Sequence, residues 1–230
     1  MKIFFLLYLS FLSSFIRCSE KVLNFEGPPY PRFLSDWKIF VEKEGKLQLN
    51  SRVFPYDLVN PLFTDYALKF RTLWIPEGKK IIYKENGELS FPIGTVITKT
   101  FSYAKDSLLE QETVSEKIFS DSLSFLNDRH QIETRLLVKT KERWYSLPYV
   151  WEKNQKDARL KVIGKSFDLK AQVSENDLYE FTYRVPNMNQ CISCHMEISD
   201  NGKLFKPIGL KKARNLNKKS LFSEEGKNQL

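Results

Sequence analysis

The sequence predicts a mainly β fold of the α+β class, in which an antiparallel β-rich domain is followed by a short helical or loop segment. Aromatic residues, which favour extended strands, are abundant: the 230 residues include 18 Phe, 10 Tyr and 4 Trp. Short runs of aromatic and β-branched residues are separated by frequent turn signals, which is the pattern of antiparallel sheets. A hydrophobic content of 42% is ample for a packed core, so we expect an ordered domain.

The chain begins with a predicted export signal, which we assign to residues 1–18. A single cation, Lys2, precedes an almost unbroken apolar run over residues 3–16. This run is too short to span a bilayer and has the length of a signal-peptide core. We therefore expect an exported protein that is either periplasmic or anchored by lipid at the cell envelope.

Cys18 has two open interpretations. An unpaired cysteine in an exported protein needs an explanation, and lipidation after cleavage just before Cys18 supplies one, with membrane attachment by lipid. Arg17, however, occupies the place usually held by a small residue. The alternative is ordinary cleavage near Ser13 and Ser14 or after Cys18, which leaves the cysteine without a role.

Residues 19–35 are predicted to form a tether, because prolines crowd Gly27-Pro28-Pro29-Tyr30-Pro31 and exclude a helix or central strand. The β-rich domain is assigned to residues 36–185. A short ordered element over 34–41 opens it, and Gly45 ends this element. Residues 54–71, rich in proline and aromatics, are expected to be irregular but well packed.

The clearest strand is 95–103, a β-branched and aromatic run. Asn86-Gly87 is a strong hairpin signal, and Lys141-Glu142 is a further turn. Residues 104–128 are polar, and we predict a surface insertion that contains a helical piece. The remaining predicted strands are 73–76, 81–84, 131–139, 143–151, 159–164 and 179–185.

The C-terminal segment, residues 186–230, contains the motif on which the function depends. Cys191-Ile192-Ser193-Cys194-His195 is C-x-x-C-H, the attachment sequence of a c-type haem. Two thiols at this spacing on a helical turn can each form a thioether, and the next residue, His195, is then the proximal ligand of the iron. We therefore expect covalent haem c on Cys191 and Cys194.

Three other interpretations of the two cysteines are weaker. A redox dithiol would be expected in a βαβ unit near the start of the chain. A zinc site needs further ligands, and the chain offers only His130 as a second histidine. A disulfide between Cys191 and Cys194 would close a small, strained loop.

The distal iron ligand is not visible in the sequence. Met188 and Met196 lie too close to the motif to reach across the iron, so ordinary His/Met ligation is not expected, and the segment is not a complete small cytochrome c domain. His130 is a candidate distal ligand, although a lone histidine at a strand edge is more often a surface residue. Lysine, the N-terminal amine, a partner's side chain and an open site are the alternatives.

The formal net charge is +8, and cations concentrate after the motif. Such a run is most often a solvated face, but beside a haem it can also neutralise propionates or steer an acidic redox partner. Nucleic acid is not an expected partner of an exported chain. The cluster comprises Lys203, Lys206, Lys211, Lys212, Arg214, Lys218 and Lys219.

Several short sequence segments, taken in order, resemble one family. It is a poorly characterised group of large exported bacterial c-type cytochromes, some with two haems and often reported beside a parallel β-helix protein. The resemblance implies an exported haem protein and a neighbouring β-helix surface protein as a partner. This chain has one C-x-x-C-H and stops where longer relatives continue, so it resembles either a short member or a truncated one, with a single haem motif. The segments that carry the resemblance are 56–58, 61–67, 91–95, 99–101, 133–137, 147–151, 185–187, 189–191, 207–209 and 213–217.

The functional expectation is an exported monohaem c-type cytochrome that transfers single electrons, rather than an enzyme. Two alternatives stay open. A haem enzyme or sensor would have an open distal iron position, and a surface binding module would carry the haem as an accessory.

Overall fold

The computed structural model describes residues 20–65, 67–104, 122–172, 178–199 and 202–216. The predicted signal peptide with Cys18, most of the predicted insertion and the last residues of the C-terminal segment lie outside this part of the chain. The prediction of a mainly antiparallel β fold in the α+β class is confirmed. No helix among the described residues is both long and apolar enough to cross a membrane.

Strands dominate the described chain, and helices are short. The strands are β1 (Phe40–Lys43), β2 (Lys46–Leu49), β3 (Val53–Pro55), β4 (Leu68–Trp74), β5 (Ile82–Tyr83), β6 (Leu89–Ser90), β7 (Val96–Ala104), β8 (Arg129–Lys139), β9 (Trp144–Trp151), β10 (Ala158–Leu160), β11 (Lys165–Gln172), β12 (Leu178–Val185), β13 (Met196–Ser199) and β14 (Gly202–Phe205). The helices are α1 (Ser122–Asn127), α2 (Met188–His195) and two 3-10 turns, Leu34–Trp37 and Ala213–Asn215.

A six-stranded antiparallel sheet forms the centre of the fold, with strand order β10-β9-β8-β7-β4-β3. Its three longest strands, β7, β8 and β9, lie next to each other and coincide with predicted strands. Four two-stranded hairpins surround it: β1–β2, β5–β6, β11–β12 and β13–β14. The turn at Asn86-Gly87 closes β5–β6 as expected, and α1 is a helical piece within the predicted insertion.

One face of the sheet packs on the main hydrophobic core. Phe70, Leu136 and Leu147 point to this face and are fully buried. The segment predicted as a tether, residues 19–35, belongs to the same core over its described part, because Val22 and Phe25 are each only 5% exposed. Its prolines exclude regular structure but not burial, since apolar side chains flank them and the backbone of Leu23 pairs with Trp37.

The opposite face carries two separate hydrophobic clusters. Near one end, Phe101 packs with Tyr183 of the β11–β12 hairpin. Near the other end, Ile97 and Leu137 pack with Leu210 from the C-terminal segment. Successive residues of a strand point to opposite faces, so the side chains between Ile97 and Phe101 on this face line the space between the two clusters.

Two elements depart from the expected strands. The predicted strand 159–164 ends at Leu160, because Gly164 adopts a φ of +77° and closes a turn on Lys161. β11 follows after this turn, and its largely polar sequence gave little strand signal. The hairpin β13–β14 likewise lies in the C-terminal segment, which was expected to be helical or loop. Its pairing is supplied by backbone hydrogen bonds rather than by an apolar pattern.

Candidate functional site

The C-x-x-C-H motif lies on α2, a two-turn helix with a complete N-terminal cap. The Gln190 backbone N–H donates to Asn187 Oδ1 (2.8 Å), and the Asn187 backbone N–H donates to Gln190 Oε1 (2.9 Å). This reciprocal pair is a capping box, in which two otherwise unpaired backbone donors are satisfied by side chains. Pro186 precedes the cap, so the helix start is fixed by the local sequence.

His195, the last residue of α2, is held by the hairpin that follows. The backbone of Lys206 donates to the His195 carbonyl (2.8 Å). The His195 Nδ1 lies 2.9 Å from the Lys206 carbonyl oxygen, which can only accept, so Nδ1 carries the proton. Nε2 is then the lone-pair nitrogen, and a hydrogen bond of this kind is how proteins orient a metal-ligating imidazole.

The environment of His195 keeps the imidazole neutral. Its ring stacks on Phe205 with centroids 5.3 Å apart. Burial lowers the pKa of His195 below its ordinary value of 6.5, and the charges of Lys99 and Arg135 lower it further, against the hydrogen bond to Lys206. Neutral imidazole is the form that binds metals.

The two motif cysteines are free thiols on the same helix. Cys191 is buried and Cys194 is exposed, and both line a single cavity together with His195. The structure therefore brings together all three residues that the sequence assigned to haem attachment.

That cavity has a volume of about 720 Å³. It lies between α2 and the face of the central sheet that is opposite the main core. This volume is within the range of about 300–1,000 Å³ usual for cofactor sites. Its rim carries exposed apolar side chains, including Leu62 (72% exposed) and Phe63 (70% exposed). A large apolar ligand would cover surface that is otherwise open to water.

Three cations from three adjacent strands line the floor of the cavity. Arg71 on β4 is directly opposite Lys99 on β7, and Lys99 is directly opposite Arg135 on β8. Residues that are directly opposite in an antiparallel sheet share a face, so the three side chains form one row. We call Arg71, Lys99 and Arg135 the cationic row.

One end of the cationic row is neutralised by a buried carboxylate. Glu133 is fully buried and accepts hydrogen bonds from Arg135 Nε (2.8 Å) and Nη2 (2.5 Å). The Tyr183 hydroxyl donates to the same carboxylate (2.6 Å), and burial raises the pKa of Tyr183 above its ordinary range. Glu133 and Arg135 thus pair with each other on one face of β8, where residues two apart in a strand lie side by side.

Sequence reasoning missed the cationic row and the buried phenol of Tyr56, which also lines the cavity. A signal for Lys99 was present. In strand 95–103 it alternates with Ile97 and Phe101, so a cation stands at an inward position of an apolar face. A lysine at such a position is either paired or functional.

The other predicted residues lie elsewhere. His130 is at the start of β8, paired with Tyr103, and is not among the described residues that line the cavity. Burial lowers its pKa below 6.5. Met188 and Met196 do not line the cavity either, and Met196 is exposed. Within the described ranges, no group of three metal-binding side chains of the His, Cys, Asp and Glu types lies together.

The predicted basic cluster is partly neutralised. Lys206 and Lys211 both pair with Glu197, and all three side chains are only partly buried. These two lysines also line a second cavity, of about 460 Å³, next to the hairpin that holds His195. Its charged residues are Lys84, Glu88, Lys139, Lys141, Glu142, Arg143, Lys203, Lys206 and Lys211.

Comparison with protein families, with curated proteins and with solved structures found no match to this chain. The function is therefore inferred from the chemistry of the cavity and its residues.

Proposed function

We propose that this chain is an exported monohaem c-type cytochrome that transfers single electrons. Haem would be held by thioethers to Cys191 and Cys194, with His195 Nε2 as the proximal iron ligand. The observation that carries the proposal is that these three side chains line one cavity while Nδ1 of His195 donates to the Lys206 carbonyl. That bond leaves Nε2 as the ligating nitrogen.

The lining of the cavity fits haem in its chemistry as well as in its size. Haem has an apolar ring and anionic propionates. The rim offers apolar side chains such as Leu62 and Phe63, and the floor offers the guanidinium groups of Arg71 and Arg135, of which Arg135 is paired with Glu133. An amphipathic anion would match both surfaces.

When bound, haem supplies a one-electron change between ferrous and ferric iron. The chain's residues hold and orient it: α2 presents the thiols, the β13–β14 hairpin fixes the His195 tautomer, and the apolar rim excludes water. The basic second cavity beside Lys206 supports an acidic redox partner, since positive surfaces steer negatively charged proteins during encounter. Export through the predicted signal would bring the chain to the compartment where c-type haem is attached.

The test is to express the chain with its signal peptide together with a haem-attachment system, and to measure haem that stays on the protein after denaturation. We expect a covalent adduct in the native chain. Cys191→Ala with Cys194→Ala removes both thioethers and should abolish the adduct.

The matched control is Ser193→Ala, which changes an exposed residue of the same helix and leaves the motif intact. This variant should retain covalent haem at the native level. A native chain that is exported and folded but carries no covalent haem overturns the proposal.

A further inference from the structure

Few side chains in the cavity lining, apart from the motif itself, can bind iron. Among the described residues of the lining, apart from the motif itself, Lys99 offers an amine and Tyr56 offers a phenol. The arginines cannot release a proton to become ligands. The histidine and methionines that the sequence offers, His130, Met188 and Met196, are not part of this lining.

Lys99 is directed into the cavity by its strand. It alternates on β7 with Ile97 and Phe101, which belong to the two clusters on the cavity face. Its Nζ lies 5.0 Å from the centroid of the Phe101 ring. Among the described residues, its ammonium forms no ion pair within 4 Å, although Glu133 lies on the neighbouring strand and is already engaged by Arg135.

The surroundings of Lys99 favour its neutral amine. Burial, with the charges of Arg135, Arg71 and Lys69 and against that of Glu133, lowers the pKa of Lys99 from 10.5 to about 7. The phenol of Tyr56 is a weaker candidate ligand than the amine of Lys99. Burial raises the pKa of this phenol and so disfavours the phenolate that would bind iron.

We propose that the ε-amine of Lys99 is the distal ligand of the haem iron, with His195 as the proximal one. This inference rests on the proposed function, because it requires haem on Cys191 and Cys194. It assigns two nitrogen ligands from the chain to the iron, an arrangement suited to electron transfer rather than to small-molecule chemistry at an open position.

The experiment compares the native haem protein with Lys99→Arg, which keeps a long basic side chain but cannot ligate, and with Lys99→Ala. Visible and electron paramagnetic resonance spectra report the spin state, and carbon monoxide is added to the ferrous protein. We expect a low-spin native protein indifferent to carbon monoxide. Both variants should lose the low-spin ferric signal, bind carbon monoxide and retain covalent haem.

A second measurement does not depend on the folding of a variant. Near-infrared magnetic circular dichroism of the native ferric protein distinguishes amine ligation from ligation by a second imidazole or a thioether, and we expect the amine signature. His130→Ala is the matched control, because His130 is outside the cavity lining, and its spectra should equal those of the native protein.

Three results overturn the inference alone while covalent haem is present: a high-spin native protein, Lys99 variants that remain low-spin, or loss of the low-spin signal in His130→Ala. Absence of covalent haem from the folded native chain is a different result. It overturns the proposed function, and the Lys99 assignment with it.

Discussion

At the scale of single residues, Glu133 controls the charge balance beneath the cavity. It is a fully buried carboxylate that binds the Arg135 guanidinium through two hydrogen bonds and accepts a third from Tyr183. A buried charge is tolerated only when its partners satisfy it, so the three residues are energetically coupled. Together they also tie the β11–β12 hairpin, which carries Tyr183, to the central sheet.

Glu133→Gln is expected to destabilise the haem-free protein by about 3 kcal/mol, because it leaves the guanidinium of Arg135 without its counter-charge. Tyr183→Phe removes one hydrogen bond to the same carboxylate and should cost about 1.5–2 kcal/mol. Urea unfolding followed by tryptophan fluorescence measures both. Equal stability of Glu133→Gln and the native protein would show that the carboxylate does not carry this role.

At the scale of elements, the position of α2 depends on a close backbone approach. Gly164, in the turn before β11, has a φ of +77°, and a Cβ at this position would lie 2.5 Å from the Val185 carbonyl oxygen and 3.0 Å from the Asn187 nitrogen. Asn187 is the N-cap of α2. The absence of a side chain at Gly164 therefore lets the motif helix start where it does.

Gly164→Ala should destabilise the protein more than Gly45→Ala does. Gly45 has nearly the same φ, +74°, but nothing lies within 4 Å of a Cβ there. The control therefore measures the backbone strain alone, about 1 kcal/mol. Steric overlap should add about 1–3 kcal/mol at Gly164. Chemical denaturation of both variants tests this, and similar costs would contradict the close approach.

At the scale of the whole molecule, the N-terminal segment completes the core on the face of the sheet away from the cavity. Phe25 lies 5.3 Å from Trp37 and 5.5 Å from Tyr145, measured between ring centroids. The Trp37 indole N–H donates to the Tyr149 hydroxyl (2.7 Å), which donates in turn to the Pro31 carbonyl (2.9 Å). The segment thus packs as part of the domain.

Phe25→Ala is expected to cost about 3–5 kcal/mol, the usual penalty for truncating a buried phenylalanine. Phe54→Ala is the matched control, since Phe54 is 58% exposed, and it should change stability by about 0.5 kcal/mol or less. Thermal unfolding measures both variants. A native-like midpoint for Phe25→Ala would mean that residues 20–35 behave as a tether after all.

The sequence by itself determined the features that depend on neighbours along the chain. The strands β7, β8 and β9 follow from runs of β-branched and aromatic residues, the hairpin at Asn86-Gly87 follows from turn chemistry, and the motif Cys191 to His195 follows from its spacing. Each of these signals is contained within a few residues, so no knowledge of the fold is needed to see it.

Only the tertiary structure decided which distant residues meet. Arg71, Lys99 and Arg135 form one row because the register of three strands places them opposite each other, and a register between strands far apart in sequence is not encoded in any local pattern. The same pairing leaves His130 outside the cavity, and the burial of Phe25 depends on a sheet formed later in the chain. Long-range packing, rather than local preference, therefore selects the residues that surround the motif.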